Sequence, residues 1–340
     1  MQFDEHPEEM TINSRVLLVD GLNTFIRSYC AVPTMDDHGN QIGGTTGFLR
    51  SVGSMVRMYH ATRVILVWDG KGGSQRRRAL YPEYKANRNV VTRLNRPQDF
   101  KNDEQESENM TEQLHLLGQL IPHLPMSSIQ LDGVEADDII GYLSQHITAQ
   151  NPKNEVIIYS TDKDFLQLVN DQIRVYNGVQ KKMYDVPAIL EKFKAHPENF
   201  VFYRAIIGDE GDNIKGVPGV KEKNTMKYLP ELADPTIVVD YAFVLNKFKD
   251  QKKLPVAVQS IINESTRLAF NAKLMDLKLQ QMSDNSRLAV LRVWKETPPK
   301  LNKLALTKAM HGGRLLSNFP NYDGWVTFCL LPLTRFYDSR

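Results

Sequence analysis

Two alternating periods of apolar and polar positions run along the first two hundred residues. Short β-branched runs that end in polar residues or glycine recur at 15–21 ("RVLLVDG"), 63–70 ("RVILVWDG"), 128–133 ("SIQLDG"), 155–162 ("EVIIYSTD") and 173–178 ("IRVYNG"). Between them lie helix-period segments such as "TTGFLRSVGSMVRMY" and "EADDIIGYLSQHI". A run of period two or of continuous apolar residues reads as a strand, and the i, i+3, i+4 pattern reads as a helix. The alternation predicts an α/β fold, a largely parallel central sheet flanked by helices. In such sheets ligands bind beyond the carboxyl ends of the strands.

After residue 200 the pattern becomes helical. "GDEGDNIKGVPGVKEKNTMKYL" has the glycine spacing of two short helices joined by a tight hairpin. Residues 230–340 read as a lysine-rich helical remainder, broken at Pro298 and Pro299, whose apolar "WVTFCLLPL" near the end reads as core packing. The stretch from about 71 to 112 is too long and polar for a routine connection and reads as an excursion over the site. No internal repeat or low-complexity tract is visible.

Composition narrows the picture slightly. The 340 residues are 41% hydrophobic and 24% charged, as in ordinary globular proteins. No apolar run approaches the roughly 18–20 residues that cross a bilayer, and the acidic "MQFDEHPEEMTINS" lacks a signal-like apolar core, so a cytoplasmic protein is expected. Cys30 and Cys329 are the only cysteines, which argues against a disulfide framework or a zinc site. The net charge of +2 conceals segregation. Arg76, Arg77, Arg78, Lys85, Arg88, Arg93, Arg96 and Lys101 crowd one segment, and the next, "NDEQESENMTE", carries only acids. Such segregation points to a polyanionic partner.

Nine acids form the candidate chemistry: Asp20, Asp69, Glu135, Asp137, Asp138, Asp162, Asp164, Asp209 and Asp212, mostly at or just past predicted strand ends. Any one of them alone would ordinarily be a turn former or helix cap. Four such groups in succession predict that carboxylates share a small volume, where like charges raise pKa values unless a cation is present. Oxygen-only ligands suit magnesium or manganese, and none of the eight histidines falls inside an acidic group. Two such ions about 3.5–4 Å apart suit phosphodiester hydrolysis. Glu135 and Asp138 would share one face at the positive start of a helix. In "QRRRALYPEYKANR" the forks of Arg76 and Arg77 would meet phosphate oxygens and the ring of Tyr84 would stack on an unpaired base. In "GVPGVKEKN" the amides of Gly216 and Gly219 would meet phosphate beside Lys221 and Lys223.

Taken in order, "VDGLNTFIRSY", "GGTTGFLRS", "VWDGKGGSQRRRALYPEYKANR", "GVEADD", "STDKDFLQL" and "GDEGDNIKGVPGVKEKN" resemble the 5′ nucleases. These are the flap endonucleases, the 5′-nuclease domain of bacterial DNA polymerase I and the stand-alone bacteriophage 5′-to-3′ exonucleases also called phage RNase H, the last being most alike. The resemblance covers about residues 14–228. It implies a PIN-like core that removes RNA primers and 5′ flaps in lagging-strand replication or repair, with RNase H activity on RNA–DNA hybrids. It places Asp20, Asp69, Glu135, Asp137 and Asp138 around a first Mg2+ or Mn2+, and Asp162, Asp164, Asp209 and Asp212 around a second. Lys85 and Arg88 correspond to basic residues that contact the scissile phosphate, with Asp69 and Asp162 among the catalytic acids and Arg27 among the substrate contacts.

The domains implied are an N-terminal tail at 1–13, a nuclease core at 14–200 with a helical arch at 86–115, a helix-hairpin-helix region at 201–275 and a C-terminal region at 276–340 of unknown role. The hairpin would grip duplex DNA and hold a K+ ion, although Lys221 stands where many members have glycine. DNA with a 5′ flap or nick, RNA–DNA hybrid, and a single-stranded-DNA-binding protein or sliding clamp are the partners implied, for a monomer in the host cytoplasm. Two rival readings are a forked-DNA-binding module that does not cut and a haloacid-dehalogenase-type phosphatase. The second is suggested by the D-x-D of "STDKDF", yet it leaves Asp20, Asp69 and "EADD" without a role.

Overall fold

A computed structural model describes residues 10–89, 100–278 and 281–336. In chain order the first elements are β1 (Arg15–Asp20), α1 (Gly21–Ala31), α2 (Gly43–Tyr59), β2 (Arg63–Trp68), α3 (Gln75–Leu80), α4 (Asp103–Leu120), β3 (Ser127–Gln130), α5 (Ala136–Gln150) and β4 (Glu155–Tyr159). They are followed by β5 (Ile173–Asn177), β6 (Lys182–Tyr184), α6 (Val186–Phe193), α7 (Phe200–Ile207), β7 (Gly208–Asp209), β8 (Ile214–Lys215) and α8 (Glu222–Tyr228). The remainder is helical: α9 (Tyr241–Phe248), α10 (Val256–Asn263), α11 (Ser265–Met275), α12 (Asp284–Lys295), α13 (Lys303–Gly312), α14 (Tyr322–Trp325), a π-helical turn at Val326–Leu330 and α15 (Leu331–Thr334). β1 to β4 pair in parallel, β5–β6 and β7–β8 pair antiparallel, and helices connect them, as the α/β pattern predicts.

Two compact units emerge, and neither is continuous in sequence. The first comprises Met1–Lys71, Val91–Ser160 and Met282–Arg340; the second comprises Gly72–Val90 and Thr161–Gln281. The 3-10 turn at Ala86–Asn89 and the start of α4 fall within the expected arch, and 90–99 lie outside the described residues.

The first unit is built on four parallel strands in the order β3-β2-β1-β4. β1 sits inside and is buried at all six positions, as expected of a parallel strand covered on both faces. Its register pairs Val19 with Tyr159 and Asp20 with Val67, so Asp20 and Ser160 emerge side by side at the carboxyl edge. Asp69 follows one residue beyond β2. Gly70 is needed there because a Cβ would lie 1.7 Å from the carbonyl oxygen of Leu131.

The C-terminal stretch completes this unit. The buried Arg63 guanidinium donates to the carbonyls of Val293 and Glu296 at the end of α12 and lies 4.4 Å over the Trp294 ring. Val326, Cys329, Leu330 and Leu333 are buried whereas Phe328 and Leu331 are exposed, so one side of the apolar ending is core. The amino end of α2, which has no cap of its own, is closed from α4: Gln113 Oε1 accepts from the amides of Gly44 and Thr45 at 2.8 and 3.2 Å.

The second unit holds the antiparallel β5–β6 pair and helices α6 to α11, with α7 packed on α11. The loop between α7 and α8 folds back as the two-residue β7–β8 ladder. Gly208 has φ of +80°, and a Cβ there would sit 2.4 Å from the amide nitrogen of Gly216. Gly216 is equally confined, since its Cβ would lie 2.3 Å from the carbonyl oxygen of Ile207.

The packing of the C-terminal helix on α2 has a direct test. A Cβ on Gly53 would lie 2.6 Å from Trp325 Nε1 and 3.0 Å from Cys329 Cβ. Gly53→Val is therefore expected to destabilise the protein by about 1–3 kcal/mol, read as a lower Tm, with a red-shifted tryptophan emission; an unchanged melt would remove this contact from the core.

Candidate metal and phosphate site

In the first unit a carboxylate cluster forms at the edge where β1 and β2 end and α5 begins. Asp20 caps α1, its Oδ1 accepting from the amide of Asn23 at 3.3 Å, and its Oδ2 accepts from Ser160 Oγ at 2.8 Å. Asp69 Oδ1 accepts from the amide of Ala136 at 3.0 Å, the first residue of α5. Glu135 is the N-cap residue of the same helix, and Asp137 and Asp138 occupy its first turn. Four carboxylates therefore crowd one helix amino end, where the aligned peptide dipoles favour negative charge. Asp20, Glu135 and Asp138 are only 6%, 2% and 7% exposed. Carboxylates withdrawn from water need compensation, and a hydroxyl, a few amides and a helix dipole supply part of it. Arg27, from α1, donates to Tyr159 Oη at 2.9 Å and lies over that ring.

In the second unit, Asp162 lies on the turn before a 3-10 helix at Asp164–Leu168 and Asp164 opens that helix, its amide donating to Asp162 Oδ1 at 2.8 Å. Asp209 and Asp212 come from the hairpin after α7. Arg204, on α7, joins the two loops. Its Nε donates to Asp164 Oδ1 at 3.0 Å, its Nη1 donates to the Gly208 carbonyl at 3.1 Å, and its Nη2 pairs with Asp209 Oδ2. Burial, aided by the charges of Asp164 and Asp212, pushes the Asp162 carboxyl up to about 7. Asp164 is pushed up to about 6, again chiefly by burial, with Arg204 pulling down against Asp209 and Asp212. Desolvation lowers the Arg204 pKa, but the two facing carboxylates outweigh it and the net shift is upward.

Lys85 belongs to this second group. Its amide donates to the carbonyl of Asp212 at 3.0 Å, and its φ of +55° is a left-handed conformation that costs a lysine backbone about 1 kcal/mol or more. The segment around it is docked on the same hairpin: Tyr81 Oη donates to the Asn213 carbonyl, Asn213 Nδ2 to that of Glu83, and Asn87 Nδ2 to that of Glu210. A cavity of about 630 Å³ opens here, lined among others by Lys163, Arg204, Asp209, Asn213 and Lys215.

Several expected substrate contacts are placed otherwise. Tyr84 is 2% exposed with Lys85 Nζ 4.9 Å from its ring centre, so its ring is core rather than a stacking platform. Arg77 is buried and its Nε donates to the Leu274 carbonyl of α11, while Arg76 donates to that of Gln281; both guanidinia are anchored to backbone at the end of the helical region. Gly216 is held by the tight packing described above, whereas Gly219, with φ of +75°, has open space around it. Lys221 is the N-cap residue of α8 and Lys223 lies in its first turn, both exposed. The Arg88 side chain lies outside the described residues.

The donors suit a hard cation. All nine are oxygen donors, and in the second unit burial, with the charge of neighbouring carboxylates added, already raises the pKa values of Asp162 and Asp164. Among the described residues no three Asp, Glu, His or Cys side chains stand in metal-ligating geometry, so the fold groups the carboxylates without closing them into a cage. The residues that pattern reading passed over are Ser160, which orients Asp20, and Arg204. The signal for Arg204 is a lone charge on the apolar "FVFYRAII" helix.

Acids gathered at strand and helix ends offer the oxygen donors that hard divalent cations prefer. The family model for the "5'-3' exonuclease, N-terminal resolvase-like domain" matches residues 15–194, and the chain belongs to the 5′-3′ exonuclease family. DNA polymerase I of Pseudomonas aeruginosa is 34% identical over 215 residues, 63% of this chain but 22% of the polymerase, so the chain corresponds to about a fifth of that relative. The 5′-3′ exonuclease of Buchnera aphidicola subsp. Acyrthosiphon pisum is 25% identical over 279 residues, 82% of this chain and 85% of that one. In structure, the bacteriophage T5 D15 flap endonuclease, solved as a pseudo-enzyme–product complex with DNA and metal ions, aligns with a TM-score of 0.59 at 22% identity, covering 89% of this chain and 98% of that one.

The raised Asp162 carboxyl sets a pH dependence. Its folded value of about 7 lies above the ordinary 3.8, so the native state binds a proton that the unfolded chain releases. That contribution is full below about pH 4 and is lost as pH rises toward 7. In EDTA, Asp162→Asn should melt above the wild type at pH 7.5 and level with it at pH 4; parallel melting curves across that range would contradict proton uptake here.

Proposed function

We propose that this protein is a divalent-metal-dependent 5′ nuclease that hydrolyses phosphodiester bonds at the 5′ ends or flaps of DNA and at RNA primers annealed to DNA. The observation that carries this reading is the junction of Lys85 with the Asp212 loop. A cationic side chain on a strained backbone is tied by its own amide to the hairpin that supplies two of the acids. Family membership supports the class of reaction. The T5 relative's DNA and metal ions support the substrate and the cofactor.

Asp20, Asp69, Glu135, Asp137 and Asp138 would hold one Mg2+ or Mn2+, and Asp162 and Asp212, with Asp164 and Asp209 behind them, would hold another. Bound there, such ions supply Lewis acidity at the phosphate and lower the pKa of water. The chain's own groups do the rest. Ser160 keeps one oxygen of Asp20 oriented, and the α5 amino end steadies the acids around it. Lys85 offers its ammonium to the charge that develops on the phosphate oxygens. Lys221 and Lys223 at the start of α8, with Arg27 and Gly219, would meet duplex or single-strand phosphates. The α7–hairpin–α8 segment would grip duplex DNA as a helix-hairpin-helix. The monomeric state and any clamp or single-strand-binding partner are part of the same proposal. Among the described residues no helix is long and apolar enough to cross a membrane.

A 5′-labelled flap duplex tests the reading. With Mg2+ the wild type should release short 5′ fragments, and EDTA should abolish the reaction. Asp162→Asn and Lys85→Ala should each lower kcat by about a hundredfold or more, with binding in Ca2+ retained in a mobility shift. Tight flap binding without cleavage would establish the binding module instead. Phosphate release from small monoesters with intact flaps would establish the phosphatase.

A further inference from the structure

The acidic group of the second unit already contains a cation of its own. Arg204 projects from α7 into the space between two loops distant in sequence and is 6% exposed. Its three nitrogens reach three acceptors: Asp164 Oδ1 on one loop, and the Gly208 carbonyl and Asp209 Oδ2 on the other. Each loop then passes the constraint on. On the first, the amide of Asp164 holds Asp162 Oδ1, and Gln167 ties the turn to the main chain of Met275 and Leu277. On the second, Asp209 Oδ1 accepts from the amide of Gly211 at 2.7 Å, and the Asp212 carbonyl holds the amide of Lys85.

We propose that Arg204 is a positioning residue for the nuclease reaction, a buried fork that locks the Asp162–Asp164 loop to the Asp209–Asp212 hairpin and so fixes Lys85. Asp164 and Asp209 then act mainly as struts through the guanidinium. A planar guanidinium suits this position because its nitrogens diverge toward acceptors on separate segments, whereas an ammonium is a point charge. The assignment rests on the function proposed above, but its mechanical part can be read without catalysis.

The test compares Arg204→Met, Arg204→Lys and Arg204→Met with Asp164→Asn against wild type. In metal-free protein, amide hydrogen exchange should rise about tenfold or more in residues 162–168 and 208–216 together for Arg204→Met. With Mg2+ and the flap substrate, kcat should fall about tenfold to a hundredfold with KM within about twofold, and Arg204→Lys should recover part of that loss. The double variant should melt above Arg204→Met because it buries one carboxylate fewer without the guanidinium, and it serves for the exchange measurement if the single variant does not fold. Faster exchange in only one loop, or an unchanged kcat, would overturn the assignment. A wild type that cuts no flap would refute the function alone, since the exchange experiment still decides the lock.

Discussion

Negative charge held away from water is the constraint around which this molecule is arranged. The parallel register of β1 brings Asp20 out beside Ser160, and β2 delivers Asp69 to the first amide of α5. Each carboxylate needs compensation within hydrogen-bond reach, and the two units meet that need differently. The first uses a hydroxyl, backbone amides and the positive end of a fifteen-residue helix. The second uses a buried guanidinium shared between two loops. That guanidinium pairs directly with Asp164 and Asp209.

Much of this was visible in the residues themselves. Parallel strands buried on both faces need uninterrupted branched side chains, so "VLLV", "VILV" and "VIIY" announce β1, β2 and β4 directly. The acids stand out because the chain changes from apolar to charged where each strand stops. The crowding in "GVEADD" also follows a local rule, since a helix start attracts carboxylates. What the pattern hid is non-local. Arg204 lies among Phe200, Tyr203 and Ile206, and nothing nearby shows that its partners sit forty and five residues away, on Asp164 and Asp209. Arg77 and Tyr84 look like surface groups in a basic run, yet the run is docked on the hairpin and on α11, which buries both. Gly216 illustrates a second ambiguity. Glycine that lets a ligand approach and glycine that lets another backbone approach are written identically, and here the Ile207 carbonyl is the neighbour.

Lys85 combines three features in one residue. Its backbone occupies a region L-residues avoid, its amide is committed to the Asp212 carbonyl, and its ammonium rests over the buried Tyr84 ring. Glycine would relax the backbone at this point but would lose the charge, which is why strain at a cationic residue is informative. The residues before it, Tyr81 and Glu83, are bonded to Asn213, so the left-handed turn is held from both sides.

The interleaving of the two units also governs the order in which the chain can reach its final form. The second unit draws only on residues between 72 and 281, whereas the first requires the stretch from 282 onward, where Val293 and Glu296 receive Arg63. During synthesis from the amino end, the later-numbered module has all of its parts on hand while the Arg63 guanidinium on β2 still awaits the carbonyls at the end of α12 that receive it.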